Sequence, residues 1–117
     1  MKLDDIAQEL GLDYLTPQLS DTQAVDIAAG YSSDLLSDVL ANAPQGGVLV
    51  TLQVHLNVVA VAGHAELSAV IFSAGRQPDE AVVAKAVEED LHLYSSTDDT
   101  FETVGRLHAL GVKGQRA

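Results

Sequence analysis

The sequence predicts an α/β domain with three layers, α/β/α, around a mostly parallel sheet of about four to five strands. Two observations carry this. Short apolar runs rich in Val, Leu and Ile alternate with segments of helical period. Each run stops at small, hydrogen-bonding residues, after which a helix begins. Strands that read as continuous apolar runs, without polar alternation, suit a parallel sheet covered on both faces.

Leu3, Ile6, Ala7 and Leu10 fall at i, i+3, i+4 and i+7, one apolar helical stripe, and Gly11 is placed to stop the helix. A brief extended piece is expected around Tyr14 and Leu15, then a turn or loop over residues 16–21. Residues 24–29 read as a short strand. Ser32 or Ser33 then caps a helix with apolar positions Leu35, Leu36, Val39, Leu40 and Ala43, ended by Asn42-Ala-Pro-Gln-Gly-Gly47. Residues 48–52 form a β-branched strand. Residues 57–67 read as a helix that is apolar nearly all round and therefore deeply buried. Residues 69–73 form the next strand. Gly75-Arg-Gln-Pro78 turns into a helix with Pro78 at its first position and Asp79 and Glu80 near its positive end. Residues 91–94 are the last strand. Asp99 with Glu102 resembles an acidic capping box for the final helix, whose apolar positions include Phe101, Val104, Leu107 and Leu110, and Gly111 ends it.

At 117 residues the chain is expected to be one domain, 1–112, with a frayed tail over 113–117. Aromatic residues make up only 4% and Trp is absent, so the core is aliphatic and offers little for stacking bases. The net charge is −11, from 17 acids against 6 bases. That balance argues against a nucleic-acid or anionic-membrane surface, since both demand clustered Lys and Arg. The absence of Cys rules out disulfides and thiol catalysis. No basic start is followed by a long apolar run, so a secretory signal is not expected and the cytoplasm is the expected location. The longest apolar stretch, 48–62, is broken by Thr51, Gln53, His55 and Asn57 and is too short and polar to span a bilayer.

Right-handed β-α crossovers place the ends of all parallel strands on one edge, where open α/β folds bind ligands. Four polar loops should converge there. The candidate ligand-binding residues are Ser32, Ser33 and Asp34 from the first, Gln53, His55 and Asn57 from the second, Gly75 and Arg76 from the third, and Ser96 from the fourth. Helix N-termini with unpaired N–H groups, joined by the Arg76 charge, could hold a phosphate or carboxylate. Every one of these residues also has a structural explanation. The serines can be helix caps, Gly75 a turn glycine, and Arg76 the partner of Asp79 or Glu80. His55 can act as a general base or merely bond a loop carbonyl or Asn57. Asp34 and Asp38, at i and i+4, can hold a cation or complement a helix dipole.

His55, His64, His92 and His108 lack metal-ligand spacing, and neither a metal nor a cofactor is expected. The chain contains no Walker-type phosphate loop, no G-x-G-x-x-G and no G-x-S-x-G elbow. Enzymatic activity is therefore not supported.

Several of these same stretches resemble a known family. They are Gly30-Tyr-Ser-Ser-Asp-Leu-Leu-Ser-Asp-Val-Leu-Ala-Asn-Ala43, Thr51-Leu-Gln-Val-His-Leu-Asn-Val-Val-Ala-Val-Ala62, Gly75-Arg-Gln-Pro-Asp-Glu80 and Phe101-Glu-Thr-Val-Gly-Arg-Leu107. Together they are similar to the stand-alone DRTGG domain, which is itself similar to the N-terminal domain of HPr kinase/phosphorylase. The resemblance runs from about Leu3 to Val112 and is closest to the iron-hydrogenase-associated type. It implies a compact, often dimeric α/β domain with a regulatory or assembly role, which in larger proteins accompanies nucleotide-sensing CBS pairs. It implies no catalytic residues, because the kinase's phosphate-binding loop belongs to a separate C-terminal domain. The literal Asp-Arg-Thr-Gly-Gly string is absent.

The expected function is a non-catalytic, homodimeric regulatory module that takes a small anionic ligand, such as a nucleotide, at the loop edge. Two rivals are a protein-assembly subunit without a ligand, and a small enzyme using His55 with Ser33 or Asp34.

Overall fold

The structure, a computed structural model, describes residues 1–115. Helix α1 (Leu3–Leu10) buries Leu3, Ile6, Ala7 and Leu10, the stripe seen in the sequence, and stops at Gly11 in the left-handed conformation (φ 64°). The chain then forms β1 (Asp13–Tyr14) and a 3-10 helix, Pro17–Thr22. There follow β2 (Gly30–Ser32), α2 (Leu36–Asn42), β3 (Val48–Thr51), α3 (Asn57–His64), β4 (Ala69–Phe72), α4 (Glu80–Glu88), β5 (His92–Ser95) and α5 (Thr100–Ala109).

These strands make one five-stranded sheet in the order β1-β5-β4-β3-β2. Strands β2 to β5 run parallel, and β1 joins the β5 edge antiparallel, with Tyr14 opposite Tyr94. The expected class, a three-layer α/β/α domain with a mostly parallel sheet, is what forms. Alternate residues of the buried strands feed opposite faces. Val48, Val50, Ala69, Ile71 and Tyr94 pack with α1 and Leu107 of α5. Leu49, Val70, Phe72 and Leu93 pack with Val39 of α2, Val58 and Val59 of α3 and Val82 of α4. Large apolar residues occupy both sets, which is why the strands read as unbroken runs.

Several elements differ from the sequence expectation. Residues 24–29 do not form a strand. Their backbone groups are spent elsewhere: Leu3 N donates to Val25 O (2.8 Å), Ile27 N to Met1 O (3.0 Å) and Ala28 N to Gly46 O (3.0 Å). Asp26 makes a single bridge with Lys2, and sheet pairing begins at Gly30. Residues 16–21, expected as a turn or loop, wind largely into the 3-10 helix. Helix α3 is shorter than expected and one-sided, with Val58, Val59 and Ala62 buried and Ala60, Gly63 and His64 exposed. Pro78 lies outside α4, because Asp79 takes the N-cap and its side chain accepts from Val82 N. The capping expectation at Asp99 holds, with its carboxylate accepting from Glu102 N (2.8 Å).

In the tail expected to fray, residues 116 and 117 lie outside the described residues. Lys113 is tied down, its carbonyl accepting from Gly30 N at 2.9 Å. Among the described residues, no helix is long and apolar enough to cross a membrane.

Candidate functional site

The parallel register places Ser32, Thr51, Phe72 and Ser95 at the C-terminal ends of β2, β3, β4 and β5, on one edge of the sheet. The four loops that leave this edge are tied into two pairs. In the first, Asp34 accepts from Thr51 Oγ1 (2.9 Å) and Leu52 N (2.7 Å), while Gln53 Nε2 donates to Asp34 O (3.1 Å). In the second, Ala74 N donates to Asp98 O (2.7 Å), Gly75 N to Ser96 O (2.7 Å) and Ser95 Oγ to Arg76 O (2.9 Å).

Between the pairs lies a cleft of about 450 Å³, lined by Gln53, Val54, His55, Arg76, Asp79 and Val82, among others. One wall is the β3–α3 loop, and the other is the β4–α4 loop with the first turn of α4. Arg76 is exposed, and among the described residues no carboxylate lies within ion-pairing distance of its guanidinium. The anticipated pairing with Asp79 or Glu80 does not form. Asp79 turns back onto its own helix, with Oδ1 accepting from Val82 N at 3.1 Å. Its negative charge therefore lies against the positive end of α4. His55 Nδ1 accepts from Asn57 N (3.2 Å), which leaves Nε2 as the ring nitrogen free for another partner. A planar guanidinium fork beside an imidazole, with Val54 and Val82 as apolar walls, suits a small molecule carrying a phosphate or carboxylate and an apolar body. Among the residues that line the cleft there is no Ser or Thr, so no hydroxyl nucleophile faces His55.

Of the candidates named from the sequence, Gln53, His55 and Arg76 meet in this cleft. The other six occupy different places on the same edge. Ser32 lines a separate apolar pocket of about 100 Å³ between β2 and α5, and its hydroxyl donates to Val50 O. Ser33 Oγ accepts from Leu35 N rather than capping α2. Asp34 holds the β3–α3 loop. Asp38 instead accepts from Tyr31 Oη and Asn42 Nδ2, so the two carboxylates do not share one cation site. Asn57 opens α3. Gly75 is in the left-handed region (φ 68°), with open space where a Cβ would stand, so it serves the turn rather than a close approach. Ser96 is buried, its hydroxyl accepting from Asp98 N and Thr103 Oγ1.

The sequence reading did not place Val54, Asp79 and Val82 at the cleft. The signal for Asp79 was present, since a cap residue at the start of a helix must border the preceding loop. The reading also missed a polar cluster at the opposite edge of the sheet. Buried His92, at the start of β5, is bracketed by Tyr14 Oη (2.8 Å from Nδ1) and Thr22 Oγ1 (3.3 Å from Nε2). Burial holds the His92 pKa below its ordinary value, and burial pushes Tyr94 up to about 12. Beside His92 is a second cleft of about 360 Å³, reached by Ser68 and Asp90.

No protein-family model matches the chain, and no curated protein matches it. Among solved structures, the chain is similar to the crystal structure of the CBS and DRTGG domains of the regulatory region of Clostridium perfringens pyrophosphatase, complexed with the activator diadenosine tetraphosphate. The TM-score is 0.76 at 13% identity, over 91% of this chain and 45% of that chain. The chain thus spans under half the length of its structural neighbour, and at this identity the likeness is one of fold. What the likeness shows is a shared α/β fold.

Proposed function

We propose that this domain is a non-catalytic regulatory module that binds a small phosphate-bearing ligand, of the nucleotide class, in the cleft between the β3–α3 and β4–α4 loops. The observation that carries the reading is the unpaired Arg76 guanidinium facing His55 across an open cleft at the strand C-termini. Among the described residues Lys2, Lys85 and Arg106 pair with carboxylates and Arg76 does not, which leaves its charge for an anionic ligand. The structural neighbour supports the regulatory half, since its regulatory region was crystallised with a nucleotide activator. The remaining candidates, Ser32, Ser33, Asp34, Asn57, Gly75 and Ser96, shape the loops around this site. The domain belongs with the stand-alone DRTGG proteins and works in the cytoplasm.

Calorimetry against a panel of nucleotides and small phosphate and carboxylate metabolites tests this. At least one phosphate compound is expected to bind, with affinity lowered about tenfold or more in Arg76→Ala, because a charge-assisted bidentate contact is lost. Silence across the panel, or unchanged binding in the variant, overturns the reading.

The module is also proposed to be a homodimer, which exposed apolar side chains favour. Phe101 is 89% exposed and Leu35 65%. Light scattering at high concentration is expected to give twice the monomer mass, and a monomer mass removes the dimer.

A further inference from the structure

We propose that Arg106, on α5, is a positioning residue for the anion site. It would hold the Arg76 loop in its binding shape and couple that loop to the end of α1. The inference rests on the reading that Arg76 receives the ligand.

The β4–α4 loop makes a tight turn closed by its own hydrogen bond, Arg76 N donating to Ser73 O at 3.1 Å, but one residue of that turn is poorly suited to it. Ala74 and Gly75 are consecutive residues with positive φ, 57° and 68°. For Gly75 this is free, but for Ala74 the Cβ crowds the backbone and the left-handed region is disfavoured. The loop's own bond is therefore reinforced from outside. The bonds that do so come from the β5–α5 loop: Ala74 N donates to Asp98 O and Gly75 N to Ser96 O, both at 2.7 Å. Asp98 is in turn fixed by Arg106, whose Nη1 reaches Asp98 Oδ2 at 2.7 Å.

The same guanidinium donates to Glu9 O (3.1 Å) and Leu10 O (3.4 Å). These carbonyls sit at the C-terminal end of α1, where helical partners run out and a positive charge is favoured. The chain of contacts is therefore continuous from the end of α1 through Arg106 and Asp98 to Ala74, two residues from Arg76. If the fork is removed, Asp98 loses its side-chain anchor and is held only through its backbone, by Ser96 Oγ and Thr103 Oγ1, so Ala74 is held less firmly in its unfavourable conformation. The loop then relaxes and carries Arg76 away from the cleft.

The test uses inorganic pyrophosphate and ATP as probes, with amide hydrogen exchange as a readout that needs no ligand. In Arg106→Gln, exchange at the Ala74 and Gly75 amides is expected to quicken about tenfold or more, while sheet amides keep their protection. Affinity for whichever probe the wild type binds should fall about threefold to tenfold. Adding Ala74→Gly to Arg106→Gln should restore part of that affinity, because glycine tolerates the positive φ that the lost clamp had enforced. A purely structural role for Arg106 gives no such rescue. Asp98→Asn, which keeps the side-chain shape, provides the same test should Arg106→Gln not fold. Unchanged exchange and unchanged affinity in both variants overturn the proposal, as does a loss of affinity that Ala74→Gly leaves unrepaired. If the wild type binds neither probe nor any other compound of the panel while exchange at Ala74 quickens as expected, the clamp on the loop stands and the ligand reading fails. If the wild type binds and only Arg76→Ala weakens it, the ligand reading stands and the clamp fails.

Discussion

His92 has both ring nitrogens committed. Thr22 Oγ1 donates to Leu19 O at 3.1 Å, so it receives the Nε2 proton, and Nδ1 accepts from the Tyr14 hydroxyl. Tyr14 also stacks on Tyr94, with ring centroids 4.9 Å apart, and Gln23 Nε2 donates to Tyr94 Oη. A second proton on His92 would oppose the one Tyr14 donates. Burial already disfavours the charged ring, and only a backbone hydrogen bond at Thr22 and the Asp90 charge work the other way. The native pKa is thus lowered while the unfolded chain titrates near its ordinary value, about 6.5. The sign follows: above that value the contribution to stability is complete, and it drains away as pH falls through about 6.5 toward the lower native value. Urea midpoints at about pH 8 and pH 5 should therefore differ less in His92→Gln than in the wild type. An identical pH dependence in the two proteins would show that His92 does not carry it. Nothing in the sequence marked His92 for this role, because its partners lie far along the chain at Tyr14 and Thr22. That Arg76 and His55 stand on the loop rim was legible, since each lies in a polar loop directly after an apolar strand.

Helix starts divide by chemistry. Helices α4 and α5 begin at Asp79 and Asp99, each carboxylate accepting a backbone N–H of its own first turn. Helix α2 begins after Leu35 with no side-chain cap, and Ser33, one of the two serines expected from the sequence to cap it, bonds the backbone of Leu35 instead. Asp99→Ala should accordingly cost about 0.5–2 kcal/mol and Ser33→Ala much less. Chemical denaturation checks this, and equal costs would contradict the assignment of caps. The same contrast explains which elements could be read beforehand. Asp99 with Glu102 is a local signal, complete within four residues. The segment 24–29 has strand-like composition, but its hydrogen bonds go to Met1, Leu3 and Gly46, and only tertiary structure decides that. Helix α3 misled for a related reason. Its valines suggested burial all round, yet the face carrying Ala60, Gly63 and His64 is left to solvent.

For the molecule as a whole, the fold class was legible because it depends on the alternation of apolar strands and helical segments, which the chain displays without interruption. The site was legible to the level of an edge and no further. Parallel register dictates that four loops share one rim, but hydrogen bonds at Asp34 and Asp98 split them into two pairs, and the cleft falls between the pairs. Ser32 and Ser96 thereby lie off the cleft although they lie on the rim. The acidic surface makes the cleft distinctive, because a strongly negative protein repels anions in general and the Arg76 charge offsets that repulsion locally. The apolar lining then favours guests that carry an apolar body beside the charge.

Amide chemical-shift mapping during titration with ATP and inorganic pyrophosphate reaches this most directly. The expected result is perturbation confined to residues 53–56 and 76–82, saturable and lost in Arg76→Ala. Perturbation centred on Thr22, Ser68 and Asp90 at the opposite edge, or none along the cleft walls, would contradict the placement of an anion site between the two loop pairs.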